Sequence, residues 1–392
     1  MLPLTIEQII ILLLIGYIIF TIDTKQENFP VPTILVIIGI CLVFVPFFDS
    51  IQITENIIYH IFLPALLFVS AYQFPIKDLK KNAGLILTLA TIGIIITVFL
   101  LGTLTWLIAP IGFASALVVA AILTPTDPIS VVSIIKKATG NDQIADTVEG
   151  ESMLNDGTSI VLFTTLFSVA NQEKSFSLIS FLGEFLLVSL GGVVVGLVCG
   201  YLVSKIVHYS HHRQYQIMLS IILAYGSFLI AEAFHVSGVL ATVASGMMIS
   251  FEYGRAIKEE HFRESLDGFW KIVEISLLAI LFLVIGIEIT EYIAINFWLY
   301  ALVIFIFMII VRMFIVFVIT KVVHQLPWQH QFLISWAGLK GSMSVFLILT
   351  LYAKNASGID SEWMVAVSFT VVLLSLTVQS LSMAPISRKL LK

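Results

Sequence analysis

Thr124-Pro125-Thr126-Asp127-Pro128 lies in the middle of an apolar stretch that runs from about 112 to 136. Proline lacks a backbone N–H and its ring clashes with the preceding turn, so two prolines three residues apart break a helix. Unwound backbone at membrane depth is tolerated only where it lines a polar cavity or is buried in protein. The pattern recurs further on. Trp336-Ala337-Gly338-Leu339-Lys340-Gly341-Ser342 sets two glycines and a lysine near the centre of the apolar stretch 328–353. Ordinary kinks need no charge, yet Asp127 stands in one interruption and Lys340 in the other.

Outward from these two stretches the chain is apolar almost throughout. Hydrophobic residues make up 59%, charged residues 11%, and the mean hydropathy is +1.06. A soluble domain carries about 25% charge, so lipid is the solvent this composition demands. Runs of spanning length predict thirteen transmembrane helices, near 5–22, 31–48, 55–74, 83–108, 112–136, 147–170, 177–204, 215–233, 236–252, 270–290, 294–321, 328–353 and 362–385. Between Phe251 and Trp270 the mixture of Arg255, Lys258, Glu259, Glu260, Arg263 and Glu264 predicts an exposed, interfacial helix. The net charge of −5 and the lack of a basic run give no reason to expect a nucleic-acid partner. Cys41 and Cys199 lie in apolar runs and read as small core residues, not as a disulfide or metal ligands. Glu7 alone is charged before the first run, which favours a retained span over a cleaved leader. With only seven residues after Pro385, no soluble regulatory domain is expected to follow the membrane part.

The basic residues fix an expected orientation. With the connections numbered alternately, sixteen of the 20 Lys and Arg fall on one side, and only Lys174 and Lys354 fall on the other. Arg312 and Lys340 lie within spans. Cytoplasmic loops carry the basic excess, so the N-terminus is expected outside and the C-terminus in the cytoplasm. Two six-span repeats separated by one span are offset by seven, an odd number, and must be inverted. The two broken spans are seven apart, and paired discontinuous helices mark the binding sites of transporters. His208, His211 and His212 cluster in a cytoplasmic connection and read as a solvated loop before a pH sensor.

The sixth span opens Val148-Glu149-Gly150-Glu151-Ser152-Met153-Leu154-Asn155-Asp156-Gly157. Ser152 and Asp156 are one helical turn apart on one face, and Glu151 and Asn155 form a neighbouring face. Ionisable groups inside a span default to function because they are costly unless paired or hydrated. A carboxylate, a hydroxyl and a carbonyl from an unwound segment are hard oxygen ligands suited to a small alkali cation. The alternative for Asp156 is a paired group that only fixes packing, and for Asp127 a cap at a helix start. Lys340 and Arg312, the two cations within spans, have the buried acids Glu151, Asp156 and Asp127 as natural partners. Glu184, Glu232, Glu274 and Glu288 read as packing or interfacial groups.

At these residues the chain resembles the NhaP/NHE-type cation–proton antiporters. The signs are EGESMLNDG at Glu149–Gly157, TPTDP at Thr124–Pro128 and WAGLKGSMS at Trp336–Ser344, with SGVLATVASGMM at Ser237–Met248 and FLVIGIEI at Phe282–Ile289. The resemblance spans nearly the whole chain. It implies an all-α membrane fold with two inverted six-helix repeats whose broken helices cross at the midplane. It implies a homodimer in lipid, with dimerisation helices in 1–82 and 215–291, a moving core in 83–171 and 292–392, and a linker helix in 172–214. It places the ion on Asp156, assisted by Ser152, Thr126 and Asp127, with Asn155 lining access, Glu151 paired to Lys340 and Arg312 bracing the core. No cofactor is expected beyond the transported Na+ and H+. The chain departs from the family in two places. Lys340 stands where arginine is usual, and a lysine is a point charge without the bidentate fork. Leu63-Pro64-Ala65-Leu66-Leu67-Phe68 is followed by Val69 and Ser70, where many relatives carry an acid.

One carboxylate cannot hold a proton and a cation together at full strength, because protonation removes the charge that binds the ion. The expected activity is therefore exchange of Na+, or of Li+ or K+, for H+ across the cell membrane, one for one and without net charge. The rival readings are a K+/H+ antiporter of the same fold, a cation channel, and an intramembrane aspartyl protease with Asp127 and Asp156 as a dyad.

Overall fold

Helix is the regular structure of every described segment, as lipid demands of a backbone that must satisfy its own polar groups. The structure, a computed structural model, describes residues 5–23, 31–48, 55–74, 76–127, 131–132, 135–136, 142–171, 178–207, 212–253, 260–292, 297–323, 325–354 and 361–390. Pro128, His208 and His211 lie outside the described residues.

The first four helices are α1 (Ile6–Asp23), α2 (Val31–Leu42), α3 (Ile58–Gln73) and α4, which joins Ile76–Thr88 to Ile94–Ile108 through a π turn at Leu89–Gly93. Then come α5 (Phe113–Ile122), α6 (Asp142–Ala170), α7 (Leu178–Val207), α8 (Arg213–Ala233) and α9 (Gly238–Tyr253). The last are α10 (Glu260–Tyr292), α11 (Trp298–Val323), α12 (Trp328–Trp336), α13 (Ser342–Ala353) and α14. The last of these runs through Ser361–Leu374, a π turn at Ser375–Gln379, and Ser380–Leu390. Among the described residues, eight helices are long and apolar enough to cross a membrane, and five shorter apolar ones accompany them. The chain is a multi-pass, all-helical membrane protein.

Both expected breaks are present. Helix α5 stops at Ile122, and residues 125–127 leave the helical path ahead of the core. Between α12 and α13 the chain unwinds through Gly338, Leu339, Lys340 and Gly341. Two expectations need correction. The stretch Phe251–Trp270, expected as a separate interfacial helix, is divided: Phe251–Tyr253 end α9, residues 254–259, with Arg255, Lys258 and Glu259, lie outside the described residues, and Glu260–Trp270 are the first turns of the 33-residue α10. Its charges hide an apolar stripe, and Leu266 and Trp270 on that stripe are 1% exposed. Cys41, read as a core residue, is exposed, and Cys199 is half-buried; both are free thiols.

The scaffold around the breaks is packed backbone to backbone. Gly39 of α2 and Gly286 of α10 face each other so closely that a methyl group on either would overlap the other helix's backbone. Such small-residue seams are the membrane substitute for hydrophobic helix association. Helix α6 threads the middle of the fold, touching α4, α5, α7, α9 and α12, and so carries its polar turn, Glu149–Asp156, past both breaks.

Candidate functional site

The two broken strands of chain cross and satisfy each other. The Asp127 N–H donates to the Leu339 carbonyl at 2.8 Å. The Lys340 ammonium, 2% exposed as a residue, donates to the carbonyls of Thr124 and Pro125, each at 3.1 Å. These oxygens lie just past the end of α5, in the unwound segment, where the helix dipole favours a cation. In return, the Asp127 carboxylate accepts from the Ser342 N–H at 3.4 Å, at the start of α13, where the dipole favours an anion. Asp127 thus caps a helix start, but that of the other broken span. Gly341 makes this possible, since a Cβ there would overlap the Asp127 carboxylate.

Helix α6 fastens the unwound segment from its other side. The Ser152 hydroxyl donates to the Thr126 carbonyl. The Asn155 amide donates to the Thr126 hydroxyl at 2.7 Å, and its oxygen accepts from the Thr126 N–H at 3.4 Å. One turn along from Ser152 lies Asp156. Its Oδ1 is shielded from solvent and has no hydrogen-bond partner among the described residues. A buried carboxylate oxygen left without a donor is costly, so such a group calls for a proton or a cation.

Asp156, Asp127, Thr126 and Ser152 line a cavity of about 520 Å³. Its other walls include Leu63, Ser70 and Gln73 of α3 and Lys271 and Glu274 of α10. Lys271 is exposed, and Lys136, on the same lining, bridges Asp146 at 3.5 Å and Glu149 at 3.7 Å. The cavity therefore reaches the surface beside Lys271 and the Lys136 ion pairs.

A model of the family described as sodium/hydrogen exchanger, transmembrane, matches residues 9–389. This chain belongs to that family. It is similar to the Na(+)/H(+) antiporter NhaH of Halobacillus aidingensis, 31% identical over 98% of this chain and 97% of that one. The Na(+)/H(+) antiporter NhaG of Bacillus atrophaeus is 32% identical over 93% of this chain and 71% of its own. The solved structure of the sodium proton antiporter MjNhaP1 from Methanocaldococcus jannaschii at pH 8 shares the fold, with a TM-score of 0.80, 20% identity and 98% of each chain covered.

Within this exchanger-family chain, the expected Glu151–Lys340 ion pair is not formed. Glu151 is held instead by Arg312, whose two terminal nitrogens donate to its two oxygens at 2.9 and 3.0 Å. The same guanidinium donates to the carbonyls of Ser335 and Ile334, at 3.2 and 3.3 Å, at the end of α12. A planar fork fits a carboxylate and two carbonyls at once, which a lysine cannot do. Asn155 was expected to line access; it is 0% exposed, outside the cavity lining, and spends both ends of its amide on Thr126.

Sequence reasoning passed over the π turn of α14. There the Ser375 hydroxyl accepts from the Lys340 N–H at 3.0 Å and the Gln379 amide donates to the Trp336 carbonyl at 3.0 Å. Polar residues at Ser375, Thr377 and Gln379 inside an apolar helix were the available signal, and π turns gather at functional sites.

Proposed function

We propose that this chain is a sodium–proton antiporter in which Na+ and H+ compete for the carboxylate of Asp156. The observation that carries the reading is the unpartnered Oδ1 of Asp156 beside a cavity that also presents the oxygens of Ser152, Thr126 and Asp127. A single acid that must hold either a proton or a cation couples the two fluxes by itself. The similar proteins named as Na(+)/H(+) antiporters support the same activity.

The exchange is one for one. Glu151 is neutralised by Arg312, and the Lys340 ammonium is engaged by two carbonyls, which leaves Asp156 to carry one charge at a time. The membrane potential, worth about 2.3 kcal/mol per charge per 100 mV, then does no work on the cycle. Thirteen spans in two inverted repeats accommodate the eight long and five shorter apolar helices, with α12 and α13 as one broken span. The N-terminus is outside, so the cavity mouth at Lys136 and Lys271 faces the cytoplasm. The crossing is built from 83–171 and 292–392, the core; α3 and α10, from the dimerisation segments 1–82 and 215–291, wall the cavity opposite it. The ion thus sits where a moving core meets a fixed, homodimeric frame, joined by the helix in 172–214. An aspartyl dyad is disfavoured because one oxygen of Asp127, Oδ2, already accepts from the start of α13.

Purified protein in liposomes, with an internal pH dye and clamped voltage, tests the reading with Na+, Li+ and K+ in turn. Na+ is expected to drive proton flux at a rate that voltage does not change. Flux driven better by K+ would replace the reading with a potassium–proton antiporter. Cation current without proton counterflow would replace it with a channel.

A further inference from the structure

Two elements line the cavity and then meet just beyond it. Along α3 the lining residues end at Leu63, and one turn earlier on the same face stands Tyr59. On α13 the lining residue is Ser342, and one turn later stands Phe346. The rings of Tyr59 and Phe346 are stacked, with centroids 4.9 Å apart and planes 14° from parallel. Phe228 of α8 packs edge-on against Tyr59, also at 4.9 Å. Phe228 and Phe346 are 1% and 3% exposed, and Tyr59 between them is half-buried.

The ring of Tyr59 is held at its far end as well. Its hydroxyl donates to Glu232 Oε1 at 2.8 Å, and the same oxygen accepts from the Gly238 N–H at 3.1 Å, at the start of α9. The turn between α8 and α9 passes through His235 in a left-handed conformation, φ 57°, which folds Glu232 back onto that helix start. A carboxylate at a helix N-terminus is well placed, and it serves as an anchor for the phenol.

We propose that Tyr59 is the residue that seals the cation path on the side opposite the cavity mouth, with Glu232 setting its ring against Phe346. The inference rests on the antiport reading, since alternating access requires the path to be shut on one side while it is open on the other. It assigns the opposite opening to one event, the parting of α3 from α13 at this stack. Because α13 begins at the Asp127 cap beside Asp156, ion occupancy and the seal act on the two ends of one short helix.

The test is thiol labelling from each side of oriented vesicles. Leu66→Cys, in a background of Cys41→Ala and Cys199→Ala, puts a thiol at a half-buried lining residue one turn on the mouth side of Leu63. A membrane-impermeant thiol reagent is expected to label it from the mouth side and to label it poorly from the far side. Tyr59→Ala removes the stack and should raise far-side labelling about tenfold, the scale set by losing two aromatic pairs. Tyr59→Phe keeps the ring and loses the bond to Glu232; it should raise far-side labelling about threefold. The same variants should shift the apparent Na+ affinity in opposite directions on the two sides, because they change the fraction of each state. Far-side labelling that rises in neither variant overturns the seal and leaves the antiport reading standing on its own flux measurement. Absence of Na+-driven proton flux in the unmodified protein overturns the antiport reading, which labelling does not measure.

Discussion

Arg312 holds Glu151 by two parallel hydrogen bonds, 2.9 and 3.0 Å long, while its third nitrogen and one of the same two reach the carbonyls at the end of α12. Breaking a buried pair by removing one partner costs about 3–5 kcal/mol, because the other charge is left uncompensated. Arg312→Ala and Glu151→Ala are each expected to lower the thermal midpoint of the purified protein sharply, and the double variant to lose far less than their sum. Additive losses, within roughly 0.5 kcal/mol, would show that the two side chains do not act as a pair.

Asp156→Asn keeps the shape and hydrogen-bonding capacity of the side chain but cannot titrate. It is expected to abolish cation-driven proton flux with the fold intact. In the unmodified protein, protonation removes the charge that binds the ion, so more Na+ is needed as pH falls. With one proton competing for one site, the apparent Na+ affinity should weaken by up to about tenfold per pH unit on the acid side. Wild-type flux in Asp156→Asn vesicles would falsify the site assignment.

Lys340 donates to two carbonyls that have no helix of their own to turn to. Unmet buried carbonyls cost about 1–3 kcal/mol each. Lys340→Met should therefore cut the exchange rate at least tenfold, and Lys340→Arg, which keeps donors and charge, should retain more of it. Equal loss in both variants would point to a lysine that itself gives up a proton during transport.

A methyl group added at Gly341 meets the Asp127 carboxylate, whereas one added at Gly226 of α8 meets nothing within 4 Å. Gly341→Ala is expected to impair exchange and folded yield. Gly226→Ala should be neutral or stabilise by about 0.5–1 kcal/mol, the usual gain from alanine in a helix. Side-by-side melting curves and flux assays would settle it, and equal behaviour of the two variants would show that the close approach of the broken helices is dispensable.

The basic excess on one side of the chain predicts an outside N-terminus and an inside C-terminus. Epitope tags at each end, probed in intact and permeabilised cells, report this directly. Both tags appearing on the same face would mean that a span has been miscounted.

What was legible in the chain follows from how physical signals are carried in sequence. The breaks at Thr124–Pro128 and Gly338–Gly341 announce themselves because proline and glycine act locally. Asp156 stands out because an acid in an apolar run has few innocent explanations. The partner of Glu151 was less visible, since Arg312 lies 161 residues away and no local rule separates it from Lys340. The chemistry of the side chains does separate them, the fork of arginine suiting a carboxylate better than an ammonium does. Glu232 and Glu274 looked peripheral because span ends hide function and packing alike; in the fold one anchors Tyr59 and the other lines the cavity. At the start of α10, charge masked Leu266 and Trp270, whose spacing only becomes telling once a partner helix is present.

The bond from the Ser342 N–H to Asp127 joins residues 215 positions apart. A ribosome adding about 5–20 residues per second makes the first broken helix roughly ten to forty seconds before the second. Throughout that interval the ends of α5 and the Asp127 carboxylate lack the groups that will answer them, and lipid offers no substitute. The nascent half-protein must therefore be kept wet or sheltered by the insertion machinery until α12 and α13 emerge. Nonsense or frameshift changes in the last third of the chain thus strand an otherwise complete first half with its polar seam open, a natural target for membrane quality control.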